Sequence, residues 1–120
     1  MIIGRCVERE HPNVLERFRD YAILSVCLEE EHVNSVGFKL AGMLARLGEG
    51  VEEVAVLTVD GSLHCVQLHF MVEEVFKVLR PASIRRKHFI IIRGGVEEIP
   101  LEAVRTARYL SKVAKLLKRE

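Results

Sequence analysis

The chain has 120 residues, of which 49% are apolar and 29% charged, and this composition is typical of one globular domain spanning residues 1–120. Eighteen basic and seventeen acidic residues leave a net charge of +1, so the overall electrostatic field that attracts nucleic acid is absent. No apolar run reaches the roughly 20 residues of a membrane span, and the N-terminal sequence MIIGRCVERE becomes charged too early for a signal peptide. We therefore expect a cytosolic protein that binds neither membranes nor nucleic acid.

The first half of the chain alternates short apolar runs with helical patterns. Residues 1–6 and 21–27 are rich in aliphatic residues and predict two strands, each of which ends in a cysteine. Pro12 and Asn13 open a short helix between them. A longer helix is predicted over residues 33–47, where apolar residues recur on one stripe until a glycine-containing turn.

The second half repeats the same alternation. Residues 54–59 predict a buried strand, and a helix follows from about residue 62 to residue 79. Residues 88–92 predict a fourth strand, and Pro100 suits the first turn of one final helix. We expect the inner face of that last helix to carry Ala103, Ala107, Leu110, Ala114 and Leu117.

Four strand–helix units in series predict a three-layer α/β/α domain, because parallel strands need crossover connections. We expect a mostly parallel sheet of about four strands, flavodoxin-like or Rossmann-like. The carboxyl ends of parallel strands share one edge, where ligands bind in such sheets. Cys6, Cys27 and Cys65 all follow strands and should meet at this edge, with His11, His32 and His64 in nearby loops. His88 begins a predicted strand and should lie at the opposite edge.

The segment VAVLTVDGSLHCVQLHF, residues 54–70, concentrates reactive residue types at a strand-to-helix junction. Cys65 lies in the first helical turn and His69 one turn later, so the helix dipole and an imidazole both favour a reactive Cys65 thiolate. Cys65 also lies on an apolar stripe of its helix, and burial in the core is the alternative for it. A small-anion site is predicted from the loop residues Asp60, Gly61, Ser62, His64, Arg93, Gly94 and Gly95.

The cysteine-bearing first strand, the strand ending ILSVC and the segment VAVLTVDGSLHCVQLHF resemble the delta subunit of methyl-viologen-reducing hydrogenases, a small iron-sulfur protein. The resemblance covers about residues 1–75 and implies that Cys6, Cys27 and Cys65 are the cluster ligands. That family has further cysteines in its first and third motifs, where this chain has only Cys6 and, after the third strand, Asp60. A histidine or aspartate would therefore complete the ligand set of an iron-sulfur cluster or a zinc ion.

Three functions remain open. The first is a thiol- or metal-centre redox protein that uses Cys6, Cys27 and Cys65 with a redox partner protein. The second is a small-anion-binding domain or an enzyme with Cys65 and His69 as catalytic residues, and the third is a non-catalytic interaction subunit or homo-oligomer. With one Gln and two Asn, amides are scarce, which is the thermophile pattern and makes an intracellular disulfide a real option.

Overall fold

A computed structural model describes residues 1–118 as a sheet flanked by helices. The five strands are β1 (Ile2–Gly4), β2 (Leu24–Val26), β3 (Glu53–Val59), β4 (Arg85–Ile92) and β5 (Gly95–Ile99). The five α-helices are α1 (Arg5–Glu10), α2 (Val33–Leu47), α3 (Leu63–Leu79), α4 (Leu101–Ala107) and α5 (Leu110–Leu117). Two 3₁₀ helices, Pro12–Phe18 and Gly48–Gly50, complete the regular structure. Among the described residues, no helix combines the length and the apolar character needed to cross a bilayer.

The strands are ordered β2-β1-β3-β4-β5, and all neighbours are parallel except β4 and β5, which form an antiparallel hairpin. β3 lies at the centre, and its residues 54–58 are all buried because both faces of the sheet are covered. The carboxyl ends of β1, β2, β3 and β4 therefore share one edge, as the sequence predicted. The predicted three-layer α/β/α arrangement is present, with one strand more than expected.

The apolar core has two halves, one on each face of the sheet. On one face, α2 and α3 bury residues such as Leu40, Leu68 and Val72 against the sheet. On the other face, α1 and the 3₁₀ helix Pro12–Phe18 bury Val7 and Phe18. The helices thus hold the first turns of α1 and α3 at the carboxyl edge of the sheet.

Several element boundaries differ from the sequence expectation. β1 ends at Gly4, so Cys6 lies in the first turn of α1 and not in a strand. β4 begins at Arg85, which places His88 in the middle of a strand and not at the far edge of the sheet. Arg93 and Gly94 both have positive φ and form a two-residue hairpin turn, so the expected helix start after β4 is wrong.

The last helix was predicted as one element, but the structure divides it into α4 and α5 around Arg108 and Tyr109. Only Val104 is buried on these helices, and α5 buries no residue. The predicted inner face is wrong, since all five of its residues are exposed: Ala103, Ala107, Leu110, Ala114 and Leu117. The physical reason is that β5 takes the edge position of the sheet. α5 therefore follows the last strand without packing on the core. Residues 119 and 120 of the predicted domain lie outside the described residues.

Candidate functional site

Two cysteines that are distant in sequence meet at the carboxyl edge of the sheet. Cys6 in α1 and Cys65 in α3 bring their Sγ atoms to 3.4 Å. Cys27 follows β2 and lines the same cleft, which has a volume of about 230 Å³. We call it the cysteine cleft, and its polar lining comprises Arg5, Cys6, Arg9, Glu10, Cys27, Glu29, Ser62, His64 and Cys65. The predicted convergence of the cysteines is confirmed for Cys6 and Cys65.

A glycine makes the approach of the two sulfurs possible. Gly4 ends β1, and a Cβ atom at this position would lie 2.6 Å from Cys65 Sγ and 3.5 Å from Cys6 Sγ. Ser62 fixes the other side of the pair, because it caps α3 and its Oγ accepts a hydrogen bond from the Cys65 backbone N–H. The sulfur pair is therefore held by the first turns of two helices.

The environment of Cys6 disfavours a negative charge on its sulfur. Burial, the hydrogen bond with Cys65 and the electrostatic effect of Cys65 and Glu10 together raise the pKa of the Cys6 thiol to about 11. Cys6 is therefore a neutral thiol at pH 7. Arg5, at the same cleft, is paired with Glu30 and Glu31, and His64 Nδ1 lies 3.4 Å from Glu29 Oε1.

The cleft fits the predicted zinc or iron-sulfur centre only in part. Two thiolates on one tetrahedral zinc ion, with Zn–S bonds of about 2.3 Å, would be roughly 3.8 Å apart. The 3.4 Å between Cys6 Sγ and Cys65 Sγ is close to that value. Within residues 1–118, however, no three side chains of the types His, Cys, Asp or Glu are arranged to hold a metal ion. Cys27 as the third ligand stays a prediction.

His69 does not pair with Cys65, and this predicted contact is wrong. Its Nε2 lies 2.8 Å from Thr58 Oγ1, and its Nδ1 lies 2.8 Å from Nδ1 of His88. Both ring nitrogens are thus engaged elsewhere, because α3 turns His69 towards β3 and β4 and away from the cysteine cleft.

His69 belongs to a buried hydrogen-bond network that was not predicted from the sequence. His88 Nε2 lies 2.9 Å from Glu73 Oε2, and the same oxygen accepts a 2.6 Å hydrogen bond from Arg86 Nε. We call Thr58, His69, His88, Glu73 and Arg86 the histidine network. A sequence signal exists, because His69 and Glu73 are four residues apart on one helix face, while Thr58 and His88 interrupt apolar strands.

Burial and hydrogen bonding together set the protonation of the histidine network. Burial, with the neighbouring His88 acting in the same direction, lowers the pKa of His69 to about 3. Burial also lowers the pKa of His88, although Glu73 acts in the opposite direction. For Glu73, burial favours a higher pKa, but the hydrogen bonds from Arg86 and His88 outweigh it, and the pKa lies below its usual value. At neutral pH both imidazoles are therefore neutral and Glu73 is ionised.

The residues predicted to bind an anion lie in three different places. Asp60, Gly61 and Ser62 line a second cleft of about 230 Å³ together with Thr58 and His69, which we call the Thr58 cleft. His64 lines the cysteine cleft, to which Ser62 also contributes. Arg93, Gly94 and Gly95 form the hairpin turn between β4 and β5, at the same sheet edge but not at a helix N-terminus. The structure therefore does not bring these seven residues together into one anion site.

The mostly parallel sheet, its helices on both faces and the clefts at its carboxyl edge define a doubly wound α/β protein. A family model described as a Rossmann-like domain matches residues 1–119, and the chain belongs to this family. No curated protein and no solved structure matches the chain. The predicted fold class is thus confirmed, whereas the resemblance to the hydrogenase delta subunit stays a prediction.

Proposed function

We propose that this protein is a cytosolic thiol redox protein in which Cys6 and Cys65 interconvert between a dithiol and a disulfide. The observation that carries the proposal is the 3.4 Å separation of their Sγ atoms, which belong to different helices and lie 59 residues apart in sequence. A disulfide has an S–S distance of about 2.05 Å, so the sulfurs need to approach by little more than 1 Å.

The proposed reaction is thiol–disulfide exchange with a small-molecule disulfide or with a disulfide of a partner protein. The two Cys thiols are oxidised and lose two electrons and two protons, and an S–S bond forms between Cys6 and Cys65. The S–S bond of the partner breaks, and it takes up the two electrons and two protons as two thiols. The reverse reaction restores the dithiol.

Exposure assigns different roles to the two cysteines. Cys6 is partly exposed in the cysteine cleft, whereas Cys65 is buried, so an incoming disulfide reaches Cys6 first. The pKa of Cys6, about 11, leaves little thiolate at neutral pH. We therefore expect exchange to be slow at pH 7 and to accelerate as the pH rises, because only the thiolate attacks a disulfide.

The test is an anaerobic redox titration in glutathione buffers, quenched with an alkylating reagent and read by intact mass. We expect two of the three thiols to be lost together in one two-electron transition. Cys27→Ser should keep this transition, and Cys6→Ser and Cys65→Ser should each abolish it while circular dichroism shows an intact fold. Independent titration of the three thiols, or loss of the transition in Cys27→Ser, would contradict the proposal.

A metal centre is the second candidate, and the position of Cys27 in the same cleft as the sulfur pair favours it. In this case Cys6, Cys27 and Cys65 would hold zinc or an iron-sulfur cluster, as the resemblance implies. Metal and sulfide analysis of anaerobically purified protein tests this idea. One bound zinc ion or cluster, lost in Cys27→Ser as well as in the other two variants, supports the metal centre. Metal-free protein with an intact redox transition supports the dithiol.

A further inference from the structure

The histidine network reaches the surface of the molecule in the Thr58 cleft. Thr58 and His69 both line this cleft, although their exposed fractions are only 2% and 3%. Behind them, His88 is fully buried and links His69 to the carboxylate of Glu73. Burying two imidazoles and a carboxylate is costly unless all of them are hydrogen-bonded, and here each one is.

The hydrogen bonds fix the direction in which the network donates protons. Glu73 accepts from Arg86, and as an ionised carboxylate it accepts from His88 Nε2 as well. Neutral His88 then has a bare Nδ1, which accepts from Nδ1–H of His69. This leaves Nε2 of His69 without a proton, so it accepts from the Thr58 hydroxyl. Along the series from Thr58 through His69 and His88, each donor therefore points away from the cleft and towards Glu73.

This order is the arrangement that activates a hydroxyl nucleophile. A hydroxyl donates to an imidazole, which in turn is oriented by a further group that stabilises its protonated form. We propose that Thr58 is the nucleophile and His69 the general base of an acyl-transfer site that hydrolyses small esters. This site lies beside the cysteine cleft and shares Ser62 with its lining, but it uses different reacting residues and does not depend on the redox proposal.

The shape and lining of the Thr58 cleft indicate the class of substrate. Apart from Asp60 and Ser62, its walls are mainly apolar and include Val66, Phe70 and Ile90. A volume of about 230 Å³ is smaller than that of a usual drug-sized pocket, so it suits a short aliphatic acyl group. The cleft also contains Ser62 at the start of the 17-residue α3, whose dipole favours the negative charge that develops on the carbonyl oxygen.

The proposed reaction has two steps. In the first, a bond forms between Thr58 Oγ1 and the acyl carbon, and the ester C–O bond breaks. The Thr58 proton passes to Nε2 of His69, which then donates it to the departing alkoxide. In the second step, water cleaves the acyl-threonine ester, and the carboxylic acid leaves with the hydroxyl of Thr58 restored.

His88 and Glu73 are positioning residues in this proposal. When His69 takes up the Thr58 proton, its Nδ1 proton can move to His88, which then carries the positive charge beside Glu73. The other charged groups near this carboxylate are Arg86 on β4 and Arg105 on α4, whose Nε lies 3.8 Å from Glu73 Oε1. The hydrogen bonds from Arg86 and His88 keep Glu73 ionised, and Glu73 offsets the effect of Arg86 on the pKa of His88.

The test measures hydrolysis of 4-nitrophenyl acetate and butyrate in a cysteine-free background, Cys6→Ser/Cys27→Ser/Cys65→Ser, because thiols also react with activated esters. We expect Thr58→Val to lose about 100-fold or more of kcat/KM, the usual contribution of an activated nucleophile and base. Thr58→Ser keeps the hydroxyl and should retain activity. Acid-quenched protein should carry the acetyl group on the peptide that contains Thr58.

Two outcomes would overturn the proposal. One is that the folded cysteine-free protein hydrolyses the 4-nitrophenyl esters no faster than the same protein after heat unfolding. The other is that a Thr58→Val variant folds and keeps the full rate of hydrolysis. Glu73→Gln tests the positioning role, since loss of its charge should lower kcat with KM unchanged and move the acid limb of the pH profile to lower pH. If the acid limb of the pH profile does not move, Glu73 and His88 have no positioning role in the reaction.

Discussion

Replacement of Gly4 by alanine should destabilise the protein through a contact with the sulfur pair. The added Cβ would lie 2.6 Å from Cys65 Sγ, more than 1 Å inside an ordinary carbon–sulfur contact of about 3.7 Å. Overpacking of this kind costs about 1–3 kcal/mol. The backbone of Gly4, with φ −69° and ψ 140°, suits alanine. The lower conformational entropy of the unfolded chain therefore stabilises the variant by about 0.4–1 kcal/mol and offsets part of the cost of overpacking.

The expected net loss is therefore about 1–2 kcal/mol of unfolding free energy, or roughly 4–8 °C in Tm for a domain of this size. Urea unfolding of the reduced protein measures it. Gly42→Ala is the matched control, because it lies in α2 with no atom within 4 Å of the new Cβ and should stabilise by up to about 1 kcal/mol. In a double-mutant cycle, Cys65→Ala should remove most of the Gly4→Ala penalty. A Gly4→Ala protein as stable as wild type, or strictly additive effects, would refute this account of the sulfur contact.

Three further predictions concern protonation and packing. His69 has its pKa lowered to about 3 by burial, so the native state loses up to about 1.4 kcal/mol per pH unit as the pH falls below 6.5. Urea titrations between pH 6.5 and 4.5 should show this slope in wild type and a shallower one in His69→Gln, and equal slopes would contradict it. Site-resolved alkylation of Cys6 should rise about tenfold per pH unit from pH 7 to 10 without reaching a plateau, since its pKa is about 11. A plateau below pH 9 would be inconsistent with that pKa. Val104→Ala should cost about 1–2 kcal/mol, because Val104 is the buried residue of α4, whereas Leu110→Ala on the exposed α5 should change stability by less than about 0.5 kcal/mol.

The local pattern of apolar residues was sufficient to predict the elements that pack in the core. α2 was predicted over residues 33–47 and observed over the same range, and α3 begins one residue after its predicted start. Both helices have an apolar stripe with clear ends, and β3 has the continuous apolar run of a central strand. The order of these elements also placed Cys6 and Cys65 at one edge of the sheet.

The missed features depend on contacts between distant residues. The start of β4 was hidden by Arg85, Arg86 and Lys87, which a strand tolerates here because Glu73 and Glu53 pair with them. β5 contains two adjacent glutamates, which hide the strand in the sequence and which its position at the sheet edge tolerates.

The histidine network could not be predicted without the register of the sheet. His88 pairs with Val56 on β3, and only this register brings it next to His69 on α3. The spacing of Cys65 and His69 by four residues suggested a pair, but His69 is turned towards β4, where burial and hydrogen bonding hold it.

The most direct test of the central claim is peptide mapping of the protein under non-reducing conditions after equilibration with oxidised glutathione. We predict one major cross-link, joining the peptides of Cys6 and Cys65, with Cys27 recovered as a free thiol or as its glutathione adduct. The cross-link should disappear after reduction and return after reoxidation. Recovery of Cys6 and Cys65 as unlinked thiols, or cross-links that mainly involve Cys27, would contradict the claim that these two cysteines form the redox pair.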